Sequence, residues 1–121
     1  MDYQAQSIRT FIGAKNYETS RVFYQALGFE EVVLSPKMSL FKVNEKLSFY
    51  LQDYYVQKWC DNSMVFLEVE DLDNCWADVK GRALPEQYPT AKLSPIKELA
   101  WGREFFLHDP AGVLWHFGQF N

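Results

Sequence analysis

The chain holds only two cysteines, Cys60 and Cys75, and only two histidines, His108 and His116. The cysteines stand in no metal or redox spacing, so free thiols in a reducing cytoplasm are expected. Two histidines rule out any site that needs a histidine cluster. Basic residues are also short, twelve against sixteen acidic ones, for a net charge of −4. Neutralising phosphates needs a surplus of Lys and Arg, so a dedicated nucleic-acid binder is excluded. No apolar run approaches the ~20 residues of a membrane helix, and Met1-Asp2-Tyr3-Gln4 lacks a basic start and apolar run. The expectation is a cytoplasmic protein with no membrane partner. Gly-x-Ser-x-Gly elbows and phosphate-cradling glycine loops are missing too. So is any Pro/Gly/Ser-rich linker, and one domain is expected.

Aromatic residues are abundant: 10 Phe, 7 Tyr and 4 Trp make up 17% of the 121 residues. With 48% of the chain apolar, disorder is excluded. The chain also repeats itself. Ser7 to Ala14 alternates like a strand, Asn16 is a good helix N-cap, and Tyr17 to Leu27 carries apolar residues at helical spacing. Gly28 supplies a C-cap, and Glu30 to Leu34 reads as a strand.

Fifty-five residues later the pattern returns. Met64 to Val69 is a strand, Asp71 a cap, and Leu72 to Lys80 a helix before Gly81. Ile12 matches Leu67, Ala14 matches Val69, and Tyr17 matches Leu72. Each half closes on a hairpin: Leu40–Val43 with Leu47–Leu51 around Asn44-Glu45-Lys46, and Arg103–Leu107 with Val113–Phe117. The second hairpin turns through Asp109-Pro110-Ala111-Gly112, which suits a type I turn. The predicted order is strand, helix, three strands, repeated, with modules at about 6–53 and 62–119. Phe23, Tyr24, Phe29, Trp76 and Trp115 fall at core positions.

Such duplicated modules with an Asp-Pro-x-Gly turn resemble the vicinal oxygen chelate superfamily, which includes glyoxalase I, extradiol dioxygenases and bleomycin resistance proteins. Ser20-x-x-Phe23-Tyr24-x-x-Leu27-Gly28-Phe29 is similar to its helix signature. Trp101-Gly102-Arg103-Glu104-Phe105 followed by Asp109-Pro110-Ala111-Gly112 resembles the bleomycin resistance proteins in particular. The resemblance spans residues 6–119. It implies an α+β fold of two tandem βαβββ modules, with curved mixed sheets, helices on the convex side, and a homodimer whose drug grooves lie between chains.

Enzymes of the superfamily hold a divalent ion with His, Gln or Glu. Their four ligand positions match Arg9, Tyr50, Met64 and His116. A guanidinium has no electron pair to give, a thioether is a poor ligand for hard or borderline ions, and neutral Tyr is little better. No metal and no cofactor is expected. Strand parity gives Arg9, Glu68 and His116 a common face. There they form a polar ligand anchor, a metal-free acid/base pair of Glu68 and His116, or an Arg-Glu ion pair filling the former metal cavity.

Aromatic residues concentrate between Phe49 and Trp59. Strand parity buries Phe49 and Leu51 and leaves Tyr50 and Gln52 on the other side, while Tyr54, Tyr55 and Trp59 lie beyond the strand. Rings stack on flat conjugated groups and attract cations, which Asp53 or Asp61 would supplement. The same rings suit a dimer interface. The expectation is a metal-free homodimer that sequesters an aromatic, bleomycin-like compound. Its ligand-binding residues are Trp101, Arg103, Tyr50, Tyr54, Trp59, Gln52, His116, Glu68 and Arg9, with no catalytic residue. The alternatives are a metal-dependent lyase or dioxygenase of the superfamily, a metal-free metabolite-binding domain, or a dimerisation module.

Overall fold

A computed structural model describes residues 1–121. The first module runs β1 (Phe11–Gly13), α1 (Tyr17–Ala26), β2 (Glu30–Ser35), β3 (Met38–Lys42) and β4 (Ser48–Gln52). Its sheet has the order β1-β4-β3-β2, with β1 parallel to β4 and the remaining pairs antiparallel. A short helix, α2 (Gln57–Asn62), leads into the second module. There β5 (Met64–Glu68) and α3 (Leu72–Gly81) are followed by α4 (Leu84–Gln87), β6 (Lys92–Leu93), β7 (Lys97–Leu99), β8 (Gly102–His108) and β9 (Leu114–Phe120). The second sheet has the order β5-β9-β8-β6, with β7 also on β8, and again its first strand runs parallel to its last. The fold is α+β, a tandem pair of βαβββ modules with mixed sheets.

Both long helices begin where a side chain can satisfy their free N–H groups. Asn16 accepts from the Thr19 N–H and Asp71 from the Asn74 N–H, each at 3.1 Å. The first helix ends at Gly28, whose φ of +104° favours glycine. The second differs from the expectation. Gly81 stays helical, and the left-handed position falls on Ala83, at φ +53°.

The expected first strand, Ser7 to Ala14, pairs only over Phe11–Gly13. Residues 7–10 stay exposed, and of their backbone only the Thr10 carbonyl joins the ladder, accepting from the Tyr50 N–H. In the second module four strands follow the helix rather than three, because Pro95, which has no N–H, interrupts the outer ladder. Ser94 bridges the break, its hydroxyl accepting from the Phe106 N–H at 2.8 Å.

The core lies on the helix-facing sides of both sheets. Ile12, Phe41, Phe49 and Leu51 of the first pack in one cluster with Phe105, Leu107, Trp115 and Phe117 of the second. Phe23 and Tyr24 of α1 and Leu72 and Val79 of α3 close it. Phe29 and Trp76 pack against it partly buried. Every second residue of β1, β4, β5 and β9 therefore points the other way, onto an open face.

Candidate ligand-binding site

On the first sheet, register places Phe11, Tyr50, Leu40 and Val32 in one row across that open face. The Phe11 and Tyr50 rings stack at 4.8 Å. Arg9 donates to the Tyr50 hydroxyl at 3.0 Å, and its guanidinium lies 5.7 Å from the ring centroid. The other three arginines are paired with carboxylates; Arg9 is not. Phe11 also lines a cavity of about 230 Å³ with Gln52, Tyr54 and Trp59. The Tyr54 and Trp59 rings are 5.8 Å apart, and α2 supplies Trp59. Five of the predicted residues, Arg9, Tyr50, Gln52, Tyr54 and Trp59, are thus joined through a ring that was not among them.

The second sheet repeats this arrangement. Phe66 stands in register with His116, which in turn faces Phe106. Phe66 gathers Trp101 at 5.8 Å and Phe120 at 5.9 Å, and those two rings lie 5.1 Å apart. The cluster exists because residue 118 is glycine: a methyl group there would overlap the Phe66 ring. All three rings remain at least one-third exposed, at 45%, 36% and 52% for Phe66, Trp101 and Phe120. Large apolar groups left open on one face mark a binding surface more than a fold requirement.

His116 lies beneath this cluster and is held on several sides. Its Nδ1 is 2.8 Å from a carboxylate oxygen of Glu104, a buried residue. A carboxylate accepts, so Nδ1 carries the proton. Phe106 meets the imidazole edge-on at 4.9 Å, and Phe66 lies over it at 6.3 Å. Nε2 faces the Met64 sulfur at 3.4 Å.

A cleft of about 1010 Å³ runs between residues 7–10, the end of the β3–β4 hairpin, and strand β5, with Phe49 and Trp115 in its walls. Arg9 and Glu68 both line it but form no ion pair; Arg9 bonds Tyr50 instead. The expected pairing of Glu68 with His116 is also replaced, since Glu104 occupies that role across the β8–β9 ladder. Arg103 points away from Trp101. It shares parity with the core residues Phe105 and Leu107, and makes a two-pronged bond to Asp73 of α3 at 3.1 and 2.9 Å. That contact holds Asp73 below the usual carboxylate range. Burial pushes both cysteine thiols up, which keeps them protonated and poor nucleophiles.

The four positions that correspond to metal ligands fall into two contacting pairs, Arg9 with Tyr50 and Met64 with His116. A divalent ion does not fit them. The guanidinium repels it, the thioether is too soft, and no three His, Cys, Asp or Glu side chains converge. No chemical step is derived through such an ion. Phe11, Phe66, Phe120 and Glu104 complete the site without having been predicted. Phe11 and Phe66 are separated by the repeat offset, so the duplication already marked them as equivalent.

No protein-family model matches the chain, and no curated protein does. Solved structures do. A bleomycin-binding protein complexed with bleomycin superposes with a TM-score of 0.80 at 16% identity, covering 97% of this chain and 100% of that one. TnmS3, an antibiotic-binding protein from Streptomyces sp. CB03234, gives 0.75 at 17% identity, with 98% of each chain covered. A glyoxalase/bleomycin resistance protein from Catenulispora acidiphila DSM 44928 gives 0.76 at 18% identity, covering 97% and 100%. The fold is that of the glyoxalase and bleomycin resistance proteins, as the Trp-Gly-Arg-Glu-Phe and Asp-Pro-Ala-Gly motifs imply.

Proposed function

We propose that this chain binds an aromatic antibiotic stoichiometrically on its open sheet faces and protects by sequestration, without chemistry. One observation carries the reading: two ring clusters built on the equivalent positions Phe11 and Phe66, namely Phe11–Tyr50 and Phe66–Trp101–Phe120, stand on the open face, with every ring but half-buried Tyr50 exposed where the core does not need it. A flat conjugated group stacks on such surfaces at about 1 kcal/mol per ring contact. The shared fold supports the reading, since a bleomycin-binding and another antibiotic-binding protein are built the same way.

The working unit in this reading is a homodimer. Val32, Val33 and Leu34 of β2 are 39%, 60% and 49% exposed, an apolar strand edge that a second copy would cover. A groove formed between copies would draw rings from both sheets. Intrinsic fluorescence tests binding: bleomycin should quench the Trp101 emission saturably, and a Trp101→Phe variant should lose most of that signal. Quenching that is linear and unsaturable would count against the proposal. Sedimentation equilibrium at micromolar concentration should report twice the chain mass; a monomer there would remove the groove between copies.

A further inference from the structure

Lys97 stands opposite Glu104 in the β7–β8 register, yet the two form no ion pair. The Glu104 carboxylate is turned to His116, and the Lys97 ammonium lies over the Phe106 ring instead, 5.1 Å from its centroid. On the other side of Phe106 along β8, His108 faces Lys92 of β6. Alternation puts Glu104, Phe106 and His108 on one face of β8, opposite the core residues Phe105 and Leu107. Lys92 and Lys97, from the strands on either side of the Pro95 break, therefore flank Phe106 on the open face.

We propose that Lys92, Lys97 and His108 form a rim that recognises an oxyanion, so that the compound held on the Phe66–Trp101–Phe120 rings is an aromatic anion bearing a carboxylate, sulfonate or phosphate. The inference rests on the ring-surface reading and adds the charge of its ligand. Both lysines are exposed, and neither enters any of the chain's ion pairs, although acidic residues outnumber basic ones sixteen to twelve. An ammonium group is a point charge with three donors, which suits any oxyanion geometry rather than one planar fork.

The rim is continuous with the rings. Trp101 meets Phe66, Phe66 lies over His116, His116 meets Phe106, and Phe106 carries the Lys97 ammonium. A flat conjugated group stacked on this path presents a substituent at its end to the two lysines. His108 belongs to the same group. Burial, and after it the Lys92 charge, hold its imidazole below the ordinary histidine value. A neutral imidazole still has an N–H to donate.

Matched dyes test the rim. Anilinonaphthalene sulfonate and N-phenylnaphthylamine share one ring skeleton, differ by the sulfonate, and brighten on binding. Lys92→Met and Lys97→Met keep an apolar stem and remove the charge. Each should weaken the sulfonate dye about threefold, and the double variant about tenfold, as expected of exposed ion pairs. Added salt should weaken that dye as well, and the neutral dye should respond to neither change. Lys80→Met is the control, because Lys80 also lies over a ring, Trp76 at 4.8 Å, but on helix α3; it should leave both dyes unaffected. Trp101→Ala should weaken both dyes alike. No loss of the sulfonate dye in the lysine variants, an equal loss of both dyes there, or an equal loss in Lys80→Met overturns the rim and leaves the ring surface standing. Loss of neither dye in Trp101→Ala overturns the ring-surface reading itself, and failure of both dyes to bind saturably overturns the two together.

Discussion

The Tyr24 hydroxyl donates to the Asp109 carboxylate at 2.6 Å and accepts from the Trp115 indole N–H at 2.9 Å. Tyr24 belongs to α1 of the first module, whereas Asp109 and Trp115 flank the last hairpin of the second. All three are fully buried. One hydroxyl therefore ties the modules together at the centre of the shared core, and Asp109 completes its own turn by accepting the Ala111 and Val113 N–H groups.

Tyr24→Phe should consequently cost far more than one oxygen atom suggests. It strands a buried carboxylate oxygen and a buried indole N–H, each costing about 1–3 kcal/mol. Chemical denaturation should show a loss on the order of 2–5 kcal/mol. A loss below 1 kcal/mol would mean that the hydroxyl does not join the modules.

Burial raises the Asp109 carboxyl to about 6, against hydrogen bonds that favour its charge. The folded state then binds this proton more tightly than the unfolded state, whose carboxyl titrates near 3.8. The contribution is fully present below about pH 4, declines as pH rises through 4 to 6, and is flat above. Its span is on the order of 3 kcal/mol. The stability difference between the parent and Asp109→Asn, measured by urea unfolding from pH 4 to 7, should follow that slope. Glu31 and Asp73, held low by Arg21 and Arg103, act in the opposite direction and cancel in the comparison.

Trp101 and Arg103 are two residues apart and should separate cleanly. Trp101→Ala removes a ring from the exposed cluster and should weaken bleomycin binding about fivefold or more, at roughly 1 kcal/mol per ring contact. Arg103→Ala breaks a solvent-screened ion pair with Asp73, so stability should change little and binding not at all. Titrations of the two variants beside melting curves check both halves.

Gly118→Ala tests whether the cluster needs its glycine. The added methyl displaces Phe66 rather than backbone, so the fold should survive with a loss of about 1–3 kcal/mol while ligand affinity drops. Unchanged affinity would show that Phe66 is not part of the surface.

Local rules carried much of this structure. Asn16 and Asp71 cap their helices because capping depends on a few neighbouring residues. Phe49 and Leu51 are buried, as alternation demands, and the Asp109 turn closes through the Gly112 N–H at 3.1 Å. What escaped depends on partners far along the chain or on a single step of parity. Glu104 finds its partner only when β9 brings His116 against it. Arg103 follows Trp101 in the motif, yet its strand turns it to the helix side. Trp59 sits on a helix too short to show a period, and the Ser94 hydroxyl carries the outer ladder past Pro95 only once β8 lies beside it.

Isothermal titration of the purified protein with metal-free bleomycin addresses the central claim most directly. The account predicts saturable heat at one ligand per chain, with a Kd of about 1 μM or tighter, weakened in both Trp101→Ala and Phe66→Ala. Absence of saturable binding at that concentration, in a protein whose fold is intact by circular dichroism, would contradict it.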